Sequence, residues 1–222
     1  APADGYTILY AISGMATNPS FVKGSPDPLQ FTSISLFMTN GFVMLGSNSF
    51  VKTLPEVVST IRANPGKVSC ASSGALPTVG CALLQSYAGV PMILVNYKGN
   101  APALADLLGG QVQLMFDIIT TSLPHIRSGK LRGLAVTSPV RSSLAPELPT
   151  MIESGLPGFE TTGWYMLVAP AGVPKDVMQT LNAAANRAMK EPDVGAKLAA
   201  QGVEWTGGTL EQADQFLRGE MT

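Results

Sequence analysis

Histidine is nearly absent from this chain of 222 residues, and cysteine is scarce: His125 stands alone, with Cys70 and Cys81. A structural zinc site usually takes three or four nitrogen and sulfur ligands, so a zinc-built fold is excluded and no metal is expected. Charge is also thin. Only 13% of residues are charged, and 14 basic against 15 acidic side chains leave a net −1. Such a chain has no electrostatic footprint for nucleic acid. No apolar run reaches the roughly 18–20 residues of a membrane span. Also missing are GxSxG, a Walker loop, GxGxxG, HExxH, CxxC, internal repeats and low-complexity tracts. The opening APADGYTILYAIS lacks an initiator Met, a basic leader and a signal-like apolar core. It enters a strand at once, and the natural N-terminus is expected upstream.

Apolar residues are plentiful, at 45%. That suffices for a packed body of one large domain or two smaller lobes. Apolar runs and helical patterns alternate along the chain. Strands are expected at Tyr6–Ile12, Lys67–Ala71, Met92–Tyr97, Val112–Phe116, Leu131–Thr137, Trp164–Ala169 and near Val203–Thr206. Ser33–Ser47 reads as a long β run broken at Asn40-Gly41, and Ser13–Ser20 as loop. Thr53 and Glu56 form a capping-box pattern ahead of a helix over 54–63, and Thr209 and Gln212 form a second before the last helix. Further helices are expected over 77–88, over 101–108 with Asn100 as its cap, from about Thr121, over 174–190 and over 192–201. Alternation of this kind predicts an α/β fold with parallel sheets.

Two segments look suited to anions. In CASSGALPTVG (Cys70–Gly80) a strand ends, small polar residues turn the chain and a helix opens. Helix N-termini present unpaired amides and a positive dipole end, and Ser72, Ser73 and Thr78 add hydroxyls. An ordinary N-cap would use the same residues. ISGMATNPS (Ile12–Ser20), after the first strand, is a second turn of similar type. Asp117 follows an apolar strand, at the end where ligands bind in α/β sheets; it reads equally well as a cap for the helix beginning at Ile118. A catalytic role would need a second titratable group, and only His125 lies near in sequence. His125 fits the surface of an amphipathic helix better. Lys98 reads as a solvated turn lysine, and Trp164-Tyr165 as core or cleft lining. Cys70 and Cys81 could bridge in an oxidising compartment; the expectation is free, buried thiols.

PADGYTILYAISGMATNPSF, TLPEVVSTIRANPGKVSCASSG, YKGNAPALADLLGGQVQLMFD, LPHIRSGKLRGLAVTSPVRSSLAPELPT and LAAQGVEWTGG together resemble, in order, the Bug-type (TctC-like) periplasmic substrate-binding proteins of tripartite tricarboxylate transporters. The likeness runs over nearly the whole chain. It implies the two-lobed periplasmic binding protein fold (type II, Venus flytrap), with lobe 1 formed by residues 1–46 and 161–222, lobe 2 by 47–160, and crossing segments as the hinge. The first lobe would lack its N-terminal strand, loop and helix. The implied function is extracytoplasmic receipt of a small carboxylate (a di- or tricarboxylate, an acidic amino acid or an aromatic acid) and its delivery to integral membrane subunits. The implied protein is a periplasmic monomer without catalysis or cofactor. Mapped residue by residue, the ligand site is expected at Ser13, Gly14, Thr17, Asn18, Ser72, Ser73, Gly74, Ala75, Leu76, Thr78, Tyr97, Phe116, Asp117 and Trp164. The 74–78 loop is shorter and more apolar than the family pattern, which points to a ligand with an apolar body. Other readings are an enzyme on a related scaffold using Asp117 and His125, and the sensing module of a regulator.

Overall fold

The structure, a computed structural model, describes residues 1–21, 23–200 and 204–221. Its elements run β1 (Leu9–Ile12), α1 (Gly14–Phe21), a short 3-10 turn (Pro28–Gln30), β2 (Phe31–Ser47), α2 (Leu54–Ala63), β3 (Ser69–Ser72), α3 (Ala75–Ala88), β4 (Ile93–Asn96), α4 (Asn100–Leu108), β5 (Leu114–Ile118), α5 (Ile119–Arg127), β6 (Leu131–Val136), β7 (Thr162–Pro170), α6 (Lys175–Met189), α7 (Pro192–Ala200), β8 (Glu204–Trp205) and α8 (Leu210–Gly219). The chain divides into two compact units, one of Ala1–Asn40 with Gly163–Thr222 and one of Gly41–Thr162.

The α/β reading holds, but the sheets are mixed rather than parallel. In the second unit β3 pairs in parallel with β4 and β5, because helices cross over between these strands. β2 enters that unit without a crossover helix and runs antiparallel to β5 and β6. In the first unit β1 pairs antiparallel with β7, and β2 with β8. β2 is also continuous where a break at Asn40-Gly41 was expected. The glycine serves a close approach instead: a Cβ at Gly41 would lie 2.9 Å from the Ser138 hydroxyl.

Strand alternation in the second unit sends side chains to two cores. Met44, Cys70, Leu114, Phe116 and Leu134 pack against α2 and α3 through Leu54, Val57, Ile61, Leu84 and Ala88. Their chain neighbours Val43, Leu45, Ala71 and Met115 pack against α4 and α5 through Ala103, Leu107, Ile119 and Leu123. This is a sheet covered on both faces, and it leaves the strand ends for polar work. In the first unit Ala11, Leu36, Trp164, Met166 and Val168 meet Ala213 and Leu217 of α8.

Local signals fare unevenly. The second capping box forms in full: Thr209 accepts from the Gln212 amide at 3.2 Å, and Gln212 accepts from the Thr209 amide at 2.9 Å. The first forms by half. Thr53 accepts from the Glu56 amide at 3.4 Å, while the Glu56 carboxylate takes the Lys52 amide instead. Asn100 lies inside α4, not ahead of it. The cap is Gly99 at φ 109, a left-handed conformation that glycine adopts without a Cβ penalty. Ser13–Ser20, expected as loop, is mostly α1. Pro19 and weak periodicity hide this helix, and packing of Met15 and Ala16 on the first unit's core sustains it. The expected end of α7 at Gln201 and the start of β8 at Val203 lie outside the described residues.

Candidate functional site

The C-terminal ends of β3, β4 and β5 lie side by side in the second unit, and each is followed by a helix. Registers set the rows. Ala71 is level with Met115 and Ser72 with Asn96, so one step further Ser73, Tyr97 and Asp117 fall in line. The Tyr97 amide donates to the Ser72 carbonyl at 2.8 Å, which carries that pairing past the end of β4.

The three helix starts differ. α5 receives an internal anion. Asp117, 3% exposed, accepts from the Ile118 amide at 2.7 Å and from the hydroxyls of Thr121 at 2.7 Å and Ser122 at 2.6 Å. A carboxylate there offsets the positive end of the helix. α3 and α4 start without an acidic residue in the first turn and without a side-chain cap, behind Gly74 and Gly99. The two starts are tied together: the Ser73 hydroxyl donates to the Asn100 side-chain oxygen at 3.4 Å. At the start of α3, the Ser72 and Thr78 hydroxyls are 2.5 Å apart, and Thr78 also donates to the Gly74 carbonyl at 2.8 Å. Gly74 is exposed, and Ser73, Ala75 and Leu76 are half-buried. Pro77, third in the helix, has no N–H, so the first-turn donors are the amides of Ala75 and Leu76. Tyr97 donates to the Asp106 carboxylate at 2.7 Å. Burial, with that carboxylate beside it, pushes the phenol up to about 12, so Tyr97 stays a neutral donor.

Cys70 and Cys81 form a disulfide. The expectation of free thiols is therefore corrected: β3 lies directly under α3, and this stacking brings a strand residue and a residue of the second helical turn to a Cα separation of 6.0 Å. Both cysteines are buried.

Among known families, the receptor of the tripartite tricarboxylate transporter family matches residues 1–222. This chain belongs to that family. A relative from Pseudomonas sp. (strain P51), the UPF0065 protein in the tcbD-tcbE intergenic region, is 35% identical over 99% of this chain and 67% of its own length. Two solved structures superpose on the whole chain and on 76% of their own lengths. One is R. palustris Rpa4515 with adipate, at TM-score 0.86 and 30% identity; the other is the periplasmic binding protein BugD, at TM-score 0.85 and 32% identity. The chain is thus a Bug-type receptor with the two-lobed fold of periplasmic binding proteins.

The receptor gathers Ser72, Ser73, Gly74, Ala75, Leu76, Thr78 and Tyr97 at one place, with Asp117 one strand away on the same row. Phe116 faces the other way, into the core, stacked on Phe159. The remaining expected site residues belong to the first unit. Ser13 donates its amide to the Trp164 carbonyl at 3.0 Å. Gly14, Thr17 and Asn18 lie on α1, where the Thr17 hydroxyl is buried and has no partner among the described residues. Trp164 fills the core, its indole N–H bonded to Glu220 at 2.8 Å and its ring edge-on to Phe216. His125 lies in the last turn of α5 and Asp117 two residues ahead of its first, so about 9 Å of helical rise already separates His125 from the helix start. They do not form an acid–base pair. Among the described residues no group of three or more His, Cys, Asp or Glu could hold a metal ion. Sequence reading missed Asn100, Asp106, Thr121 and Ser122. In sequence Asn100 reads only as a helix cap, and Thr121 and Ser122 leave a signal as hydroxyls four and five positions after an acid that precedes a helix.

Proposed function

We propose that this receptor binds a small organic carboxylate at the ends of β3 and β4 and delivers it to integral membrane subunits of its transporter. The observation that carries the reading is the pairing of two helix starts, α3 and α4, free of acids and side-chain caps and joined through Ser73 and Asn100. Unpaired amides and positive dipole ends favour an anion, and the hydroxyls give it direction. Asp117 is spent on α5 and acts as a positioning residue. Ala75 and Leu76 give the α3 side an apolar surface, which suits an acid with a carbon chain, and the similar R. palustris protein is one solved with adipate. The buried disulfide favours an extracytoplasmic setting, where such bonds persist, and similarity to the periplasmic BugD agrees with it.

Thermal melting against mono-, di- and tricarboxylates tests the proposal. An acid present at about 100 times its Kd should stabilise the folded state by about 2.7 kcal/mol. The Leu76→Asp variant, which sets a negative charge in the first turn of α3, should lose that shift while melting near the parent temperature. If no acid shifts the parent, the receptor reading fails. If an acid shifts both proteins alike, the site is elsewhere.

A further inference from the structure

We propose that the Cys70–Cys81 disulfide is a clamp on the ligand loop, and that loop order and carboxylate affinity both depend on it while the fold does not. The affinity half rests on the proposed site; the clamp stands on geometry alone. The bridge joins the second residue of β3 to the seventh of α3 and encloses residues 71–80. Inside that ring lie Ser72, Ser73, Gly74, Ala75, Leu76 and Thr78. The crown of the loop is otherwise lightly held. Its side-chain bonds run mainly among its own members, Ser72, Gly74 and Thr78. Ser73 reaches outside through one bond at 3.4 Å. Nothing lies within 4 Å of where a Gly74 side chain would start. Loops of this kind open locally at low free energy, and tying both feet restricts the states they can open into. A loop held in its bound shape loses less freedom when the ligand arrives.

The body of the unit has other support. Leu84 and Ala88 anchor α3 in a core with Val57, Ile61, Leu114, Phe116 and Phe159, so these larger contacts remain when the bridge, whose two sulfurs join the same core, is lost. Burial of both sulfurs, Cys70 at 1% and Cys81 at 4%, shields the bond from reductants. The clamp is therefore set once, as the chain folds. The two thiols give up two protons and two electrons to a disulfide-bearing oxidant, which becomes a dithiol, and one S–S bond forms in the receptor.

The test compares the oxidised receptor with a Cys70→Ala/Cys81→Ala variant, and with parent protein refolded and kept under a phosphine reductant in case the variant folds poorly. Peptide mapping without reduction should recover the 70–81 cross-link, and free thiols there would overturn the proposal. All forms should melt cooperatively. Amide exchange over residues 72–76 should quicken roughly tenfold or more without the bridge, and by more than exchange in α2 and β5. Titration with adipate, malate and citrate should give a roughly tenfold weaker Kd for whichever acid binds. Equal exchange with and without the bridge overturns the clamp. Faster exchange at unchanged affinity overturns its role in binding. If none of the acids binds any form, the ligand reading fails and the exchange result alone decides the clamp.

Discussion

Replacing Asp117 with Ala separates an anchoring role from a ligand contact, and the structure fixes what each role costs. The carboxylate accepts three hydrogen bonds while 3% exposed, and one donor, Ser122, is itself fully buried. A hydrogen bond to a charged group contributes about 1.5–3 kcal/mol, and a buried donor left unpaired costs about 1–3 kcal/mol. These contributions share the same atoms and do not add, so the expected loss is about 3 kcal/mol. Asn keeps one acceptor oxygen and turns an NH2 toward the rest, so Asp117→Asn should lose about half as much. For a unit of this size a loss of about 3 kcal/mol lowers Tm by about 10 °C. The probe matters. Both tryptophans, Trp164 and Trp205, lie in the first unit, so indole fluorescence does not directly see this change. Amide exchange along α5 reads the second unit, and far-ultraviolet circular dichroism reads both units together. A variant that melts within 1–2 °C of the parent, or roughly 0.5 kcal/mol, while losing carboxylate binding would refute the anchoring argument and return Asp117 to the ligand.

Three further outcomes follow from local geometry. In Gly80→Ala the new methyl meets the Phe116 ring at 2.9–3.2 Å. That ring is stacked on Phe159, so crowding should outweigh the helical preference for Ala and lower stability by about 1–2 kcal/mol, read by urea unfolding. Thr209→Ala should cost about 1 kcal/mol because its capping box is complete, and Thr53→Ala about half that because Glu56 serves Lys52; equal losses would contradict the half-formed box. Tyr97 ionises near 12 in the folded protein against an ordinary value of 10.0. The folded pKa is the higher, so its contribution is complete below 10 and is lost as pH rises toward 12. Melting of the parent should fall more steeply across that window than melting of Tyr97→Phe, and identical slopes would contradict the pairing with Asp106.

Elements whose cause is local were readable in the sequence. Thr53 and Asn64-Pro65-Gly66 bracket a helix, and α2 spans Leu54–Ala63 as expected. The Thr209 and Gln212 spacing built its capping box. Elements whose cause is distant were not readable. α1 owes its helix to the packing of Met15 and Ala16, which no local pattern announces. The mixed sheet depends on how β2 enters the second unit, and the disulfide depends on β3 lying under α3. The candidate site divides along the same line. The loop from Ser72 to Thr78 was visible as a strand, small polar residues and a helix. Its link to Asn100 spans 27 residues and exists only because β3 and β4 are neighbours.

Asp117 shows why residue type underdetermines role. An acid after an apolar strand invites a ligand, and an acid before a helix caps it; the sequence places Asp117 in both positions. Neighbouring hydroxyls supply the anchoring partners. Thr121 and Ser122 fall on the first turns of α5 where they reach back to the carboxylate, and together with the Ile118 amide they engage both its oxygens. α5 thus carries a covalently supplied anion, while α3 and α4 begin on glycines that supply none. In the proposed function, a diffusible carboxylate would complete the missing part of that pattern. There it would be met by backbone amides and hydroxyls rather than by a fixed cation, since Lys98 at the turn into α4 is exposed. Neutral donors of this kind hold an anion without the desolvation cost of burying a cation beside it. That suits a receptor, which must let its ligand go as readily as it takes it up.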